Sequence, residues 1–225
     1  MLNASANRFH NLICMLVLLP MLESVACLPA HGQIPPFAGA ASSPVVNGRQ
    51  VAVLAGGCFW GVDAVFRHVK GVASVVSGYS GGSASTALYE TVSTGTSGHA
   101  ESVKITFDPS QVSYAELLRV FFSVATDPTQ LNRQGPDEGT QYRSVVFYAT
   151  EDQKQIALAY IDQLNRARVF RGPIVTQVVP LKAFYPAEEY HQNFLARNPT
   201  HPYIVYNDIP KLRELQKRFP DLYKR

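Results

Sequence analysis

The chain of 225 residues carries 20 Lys and Arg against 17 Asp and Glu, a formal charge of +3, and three cysteines. With 46% hydrophobic residues it can build a core, and at 16% charged it is neither a disordered chain nor a coiled coil. So small a net charge lacks the basic face of a nucleic-acid binder, and three cysteines are too few for a disulfide scaffold or a four-thiolate zinc site. An enzyme or a binding module remains.

Arg8 and His10 precede an apolar run over residues 12–22, the length of a signal-peptide core and too short to span a bilayer. Ser24-Val25-Ala26 then supplies small residues at a cleavage site. Residues 1–26 are therefore expected to be a signal peptide, and the protein to be exported, periplasmic or secreted. Cleavage would leave Cys27 first, as in a lipoprotein, although Ser24 stands where such signals carry Leu, so a lipid anchor at Cys27 is the lesser expectation. Residues 27–49 hold Pro29, Pro35, Pro36, Pro44, Gly32, Gly39 and Gly48 and read as a flexible leader. The domain is expected over residues 50–225, with no repeat and no later membrane-spanning run.

Residues 51–55 form a short apolar, β-branched run, hence a buried strand closed by Gly56-Gly57. Phe59, Val62, Val65, Phe66 and Val69 follow with helical spacing, and Gly71 is placed as the stop. Residues 72–79 read as a strand and Gly78-Tyr79-Ser80-Gly81-Gly82 as a loop. Over 99–107 the chain alternates, Ala100, Ser102 and Lys104 against Glu101, Val103, Ile105 and Phe107, a half-buried strand. A helix over 114–124 capped by Ser113, a polar loop over 127–139 and a strand over 144–148 come next. Thr150 caps a helix reaching residue 168, followed by a strand over 175–179, a helix over 187–195 and an amphipathic helix over 209–219. The order predicts an α+β two-layer sandwich, a ferredoxin-like core with a mixed, mostly antiparallel sheet and helices packed on it.

Cys58 is placed where a strand hands over to a helix. The helix dipole and the unpaired N–H groups of the first turn favour a thiolate there. The other reading is a small buried cysteine at a strand end, and spacing alone does not separate the two. Phe59 and Trp60 set two aromatic faces beside it. Glu101 taken singly could be a solvated strand residue, Tyr89 and Tyr142 packing residues among eleven tyrosines, and Asp137 ordinary loop chemistry.

Gly56-Gly57-Cys58-Phe59-Trp60-Gly61 resembles the signature of the type A peptide methionine sulfoxide reductases. Gly78-Tyr79-Ser80-Gly81-Gly82, Gly98-His99-Ala100-Glu101, Gly139-Thr140-Gln141-Tyr142-Arg143-Ser144 and Glu189-Tyr190-His191-Gln192 match in order, over residues 51–199. The resemblance implies reduction of methionine S-sulfoxide, free or in proteins, with Cys58 as nucleophile and Glu101 as the acid that protonates the sulfoxide oxygen. It implies Tyr89 and Tyr142 as hydroxyls polarising that oxygen, Asp137 in the supporting polar network, and Phe59 and Trp60 as the pocket for the substrate methyl. No bound cofactor or metal is implied. The partners implied are an external thiol reductant (thioredoxin, glutaredoxin or glutathione) and oxidised methionine-containing proteins, and the expected state is a monomer.

Many members carry further cysteines near the C-terminus that resolve the sulfenic acid; none follows Cys58 here. The oxidised cysteine is therefore expected to be reduced by an outside thiol or, less favoured, by Cys27, whose linker of roughly 31 residues can extend ~100 Å. Thr126 stands where relatives commonly carry His. Two rival functions remain: a Cys-His hydrolase pairing Cys58 with His99 or His191, and a non-catalytic module gripping methionine. The histidines lack metal-site spacing, and the Gly78–82 loop lacks the Lys-Ser/Thr of a phosphate-binding loop.

Overall fold

Residues 51–55 are apolar throughout because β1 (Gln50–Gly56) lies in the middle of a sheet covered on both faces. In the computed structural model, which describes residues 34–39 and 48–225, Ala52 and Leu54 join the large core under the helices. Val53 and Ala55 join a smaller cluster with Ala100, Val145 and Phe147. Two-residue strand periodicity divides them. The signal peptide expected over 1–26, together with Cys27, lies outside the described residues.

The central strand β1 pairs antiparallel with β3 (Ala100–Phe107) and β6 (Ser144–Tyr148). In turn β3 pairs with β2 (Val72–Ser80), β2 pairs with the short β8 (Tyr185–Pro186), and β7 (Gln177–Pro180) adds to β6 in parallel. The resulting order is β7-β6-β1-β3-β2-β8. Its middle, β6-β1-β3-β2, with helices connecting β1 to β2 and β3 to β6, is the split βαβ arrangement. The α+β sandwich expected from the sequence is the fold. A small hairpin of β4 (Arg133–Gln134) and β5 (Asp137–Glu138) forms inside the polar loop.

Helix α1 (Phe59–Arg67) buries Phe59, Val62, Val65 and Phe66, and the chain leaves it through Gly71 at φ +83. A short α2 (Tyr89–Val92) follows β2. A capping box starts α3 (Tyr114–Val120): Ser113 Oγ accepts from Glu116 N at 3.1 Å, and Glu116 Oε2 accepts from Ser113 N at 2.9 Å. It runs on as a π-helical turn, Phe121–Ala125. Thr150 caps α4 (Glu151–Arg166), accepting from Gln153 N at 3.2 Å. The chain ends with α5 (Phe194–Arg197) and α6 (Ile209–Arg218), and Leu215 and Phe219 reach the core.

Two stretches differ from expectation. No continuous helix forms over 187–195, where a 3-10 turn Glu189–His191 is followed by α5. Side chains there capture strand backbone instead. Gln192 accepts from Ser77 N and donates to Ser77 O, both at 2.9 Å, and Asn193 sits in the left-handed region at φ +51. Residues 34–39, expected within the flexible leader, lie against α3 and α4. Ile34 is 2% exposed, Tyr160 Oη donates to Pro35 O at 2.6 Å, and Gln163 Nε2 donates to Pro36 O at 2.8 Å. The two prolines pre-extend this strap, so its carbonyls stand free for side-chain donors, which composition alone does not reveal.

Leu54 is wholly buried at the crossing of β1 with the helical layer. Truncating Leu54→Ala is expected to cost about 2–5 kcal/mol. A urea titration that leaves the midpoint unmoved would contradict this placement of the core.

Candidate active site

Strand β1 delivers the chain to a turn that only glycine tolerates. Gly57 has φ +96, and a Cβ there would lie 2.5 Å from Gln134 Cγ. Gln134 is itself fixed, accepting from Asp127 N at 2.5 Å and donating to Asp127 O at 3.1 Å. Cys58 follows as the N-cap of α1 and is 9% exposed. It opens on a cavity of about 170 Å³, whose walls bring together all seven residues singled out in the sequence: Cys58, Phe59, Trp60, Tyr89, Glu101, Asp137 and Tyr142. Tyr203, an eighth, was not anticipated.

Glu101 organises the charge. Its side chain leaves β3 on the same face as Val103, Ile105 and Phe107, so it is buried at 2% exposure, and its Oε2 accepts the Phe59 N–H at 3.0 Å. Burial pushes its pKa up to about 8, against the pull of that N–H and with help from Asp137. The first N–H of α1 thus serves the carboxyl and not the sulfur. The thiolate that helix position alone favours is not the resting state: burial, then Glu101, then Asp208 push the Cys58 thiol well up, opposed by the Trp60 N–H and Lys211.

The phenols are held protonated. Burial and then Glu101 raise both Tyr89 and Tyr142, which leaves two O–H donors facing the cavity. Burial also raises Asp137, and the Tyr203 hydroxyl that donates to its Oδ2 opposes the shift. Trp60 forms an aromatic wall, stacked on Phe194 at 3.7 Å with 6° between ring planes and met edge-on by Tyr203 at 5.8 Å.

Neither histidine serves the thiol. His191 Nδ1 accepts from Trp60 Nε1 at 3.1 Å, and its ring lies against Tyr89, 4.4 Å between centroids. His99 accepts from Gly82 N at 3.2 Å and donates to Ser83 O at 2.9 Å. Both ring nitrogens of His99 are bonded, His191 Nε2 is buried without a hydrogen-bond partner, and no imidazole lines the cavity among the described residues. Nor do three His, Cys, Asp or Glu side chains converge as a metal site among those residues.

Residues 50–222 match the family described as peptide methionine sulfoxide reductase. The chain belongs to this family. A peptide methionine sulfoxide reductase of Mesorhizobium japonicum is 62% identical over 176 residues, 78% of this chain and 90% of the relative. One from Synechocystis is 52% identical over 200 residues, covering 85% and 94%. Among solved structures, methionine sulfoxide reductase A of Corynebacterium diphtheriae superposes with a TM-score of 0.59 at 33% identity, covering 74% of this chain and 84% of that one. Mxr1 from Saccharomyces cerevisiae in reduced form gives 0.61 at 32% identity, covering 68% and 88%. The protein is an oxidoreductase, a peptide-methionine (S)-S-oxide reductase, as its motifs imply.

Several supports of this reductase site were not found by reading the sequence. Glu188 accepts from Tyr79 Oη at 2.8 Å and from Tyr89 N at 2.9 Å, so one carboxylate ties α2 to β2 and sets Tyr89 over the cavity. Arg143 donates to His99 O, Gly98 O and Thr140 O at 2.8–3.0 Å, holding the chain that leads into Glu101. Tyr203 and Asp208 flank and close a π-helical turn, Ile204–Asp208, that carries none of the sequence motifs.

In the folded protein Glu101 keeps its proton up to about 8, whereas in the unfolded chain it releases it near its ordinary 4.5. A raised folded-state pKa means that stability present at low pH is lost as pH rises through this window, on the order of 5 kcal/mol for this shift. Glu101→Gln is expected to flatten that slope, gaining stability relative to the parent as pH climbs from 5 to 8. Parallel stability curves for the two proteins would contradict it.

Proposed function

We propose that Cys58 is the nucleophile and Glu101 the proton donor of methionine sulfoxide reduction, in an exported enzyme regenerated by an external thiol. The observation that carries this reading is a buried carboxylic acid, protonated up to about 8, in the same small cavity as the only cysteine among the described residues. A sulfoxide sulfur becomes electrophilic when its oxygen is protonated or strongly hydrogen-bonded. The oxygen would take the Glu101 proton and hydrogen bonds from Tyr89 and Tyr142, while the S-methyl rests against Phe59 and Trp60.

The step balances. Cys58 sulfur bonds to the sulfoxide sulfur, the Glu101 proton passes to the oxygen, and the proton of the thiol replaces it on the carboxyl. The hydroxyl then ends on Cys58 as the sulfur–sulfur bond breaks, leaving methionine and a Cys58 sulfenic acid. Cys58 sulfur loses two electrons and the substrate sulfur gains two. One external thiol condenses with the sulfenic acid, releasing water, and a second displaces the mixed disulfide. Thioredoxin or a glutaredoxin–glutathione system would supply these thiols to a monomeric enzyme, and residues 1–26 would direct it to repair exported proteins. Cys27 is the lesser route to regeneration, and the lesser candidate for a lipid anchor.

Turnover with dithiothreitol should consume the S epimer of methionine sulfoxide and spare the R epimer. The rate should fall above pH 8 as Glu101 ionises. Cys58→Ser should abolish activity, and Glu101→Gln should lower it about 10²–10⁴-fold with loss of the alkaline limb. Consumption of the R epimer alone, or an unchanged limb in Glu101→Gln, would refute the assignment. Cys27→Ser should keep full turnover with a monothiol reductant, and a collapse there would make Cys27 the resolving group.

A further inference from the structure

The C-terminal segment, in the sequence only a Lys/Arg-rich helix, reaches the reaction site. Asp208 precedes α6 and is fully buried, with Lys211 Nζ 3.3 Å from its Oδ1. Both press on Gly61, where a Cβ would lie 2.1 Å from Asp208 Oδ1 and 2.7 Å from Lys211 Nζ. Gly61 is three residues beyond Cys58, and residues at that spacing share a helix face. The ion pair therefore sits one turn along α1 from the thiol. Asp208 Oδ2 is buried with no hydrogen-bond partner, so the pair is only half satisfied. Such a pair is costly to bury and contributes little to stability by itself.

Resting on the Cys58 and Glu101 assignment above, we propose that Lys211 is a positioning residue of the reduction. Its ammonium, held by Asp208 and seated against Gly61, is the cation that lets negative charge form on Cys58 and Asp137 while the proton stays on Glu101. The groups facing the thiol make the sorting specific. Glu101 from β3, Asp137 from β5 and Tyr89, Tyr142 and Tyr203 line the cavity with it, while Asp208 and Lys211 of the C-terminal segment act from behind that wall, against Gly61. Lys211 favours the anionic form of Cys58, Asp137 and Asp208. The influences on Glu101 are burial, the Phe59 N–H and Asp137. A cation acting on the nucleophile and not on the acid brings the thiol pKa down towards that of the carboxyl, which eases ionisation of Cys58 while Glu101 keeps its proton.

The test reads thiolate formation without turnover: the pH dependence of iodoacetamide alkylation at Cys58 in the full chain, followed on its peptide by mass spectrometry. Lys211→Met should move the alkylation midpoint up by about one pH unit, roughly a tenfold slower reaction at neutral pH. Its kcat should fall similarly with KM nearly unchanged, and Lys211→Arg should restore both. Asp208→Asn should move the midpoint down. The neutral pair Asp208→Asn with Lys211→Met should fold and return the midpoint toward that of the parent, which keeps the test decisive if Lys211→Met alone does not fold. An unmoved midpoint in Lys211→Met, or an upward shift in Asp208→Asn, would overturn the role even if activity falls. Failure of Cys58 and Glu101 as the catalytic pair would show instead in turnover by their own variants.

Discussion

The hydrogen bond from Phe59 N to Glu101 Oε2 joins the two halves of the chemistry, and most of the surrounding structure follows from it. A carboxyl carried inward among valine, isoleucine and phenylalanine must lose its charge or find a donor, and this one does some of both. By taking the first N–H of α1 it caps the helix. By remaining protonated near neutrality it keeps a proton that, in the proposed reaction, goes to the sulfoxide oxygen. The thiol beside it is raised first by its own burial and then by this carboxyl, and of the donors at the helix end it keeps the Trp60 N–H. On the proposed assignment, the site is built around an acid held ready, with the nucleophile left to be activated during the reaction.

Most of the residues in the ordered motifs hold the site rather than touch it. Arg143 gathers three carbonyls at the entrance to β3, Gln192 closes both backbone groups of Ser77, and His99 lies where a Cβ on Gly82 would collide with its ring. The cavity wall comes from residues 58–60, 89, 101, 137, 142 and 203, parts of the chain far apart in sequence. Small displacements of any stretch would reach the reacting atoms, so a long motif is needed to define a cavity this small.

The layers of the fold were legible in the sequence because they rest on local periodicity. The unbroken apolar run in β1 announced burial on two faces, and the spacing of Phe59, Val62 and Phe66 announced α1. The alternation in β3 even assigned Glu101 to the face of Val103 and Ile105, although a single glutamate on a strand invites a solvent-facing reading. What remained hidden rests on contacts across long separations. Tyr203 meets Asp137 from 66 residues away, and Glu188 meets Tyr89 from 99. The helix expected over 187–195 fails for the same reason, since Gln192 and Glu188 find strand and loop partners that local propensity does not register. The helix-dipole argument at Cys58 also failed, because it left out the burial of the sulfur and the Glu101 and Asp208 carboxyls near it.

Trp60 is the one tryptophan in the chain, and it is stacked on Phe194, bonded through its indole N–H to His191 and exposed to the cavity. Tryptophan emission, excited at the red edge where the eleven tyrosines do not absorb, therefore originates at a single place, in the same cavity as Cys58. A sulfoxide entering, a sulfenic acid forming on the neighbouring sulfur, or α5 lifting from the ring would each alter the polarity around one fluorophore. The enzyme carries its own optical probe, and each half of its catalytic cycle can be timed separately without adding a label.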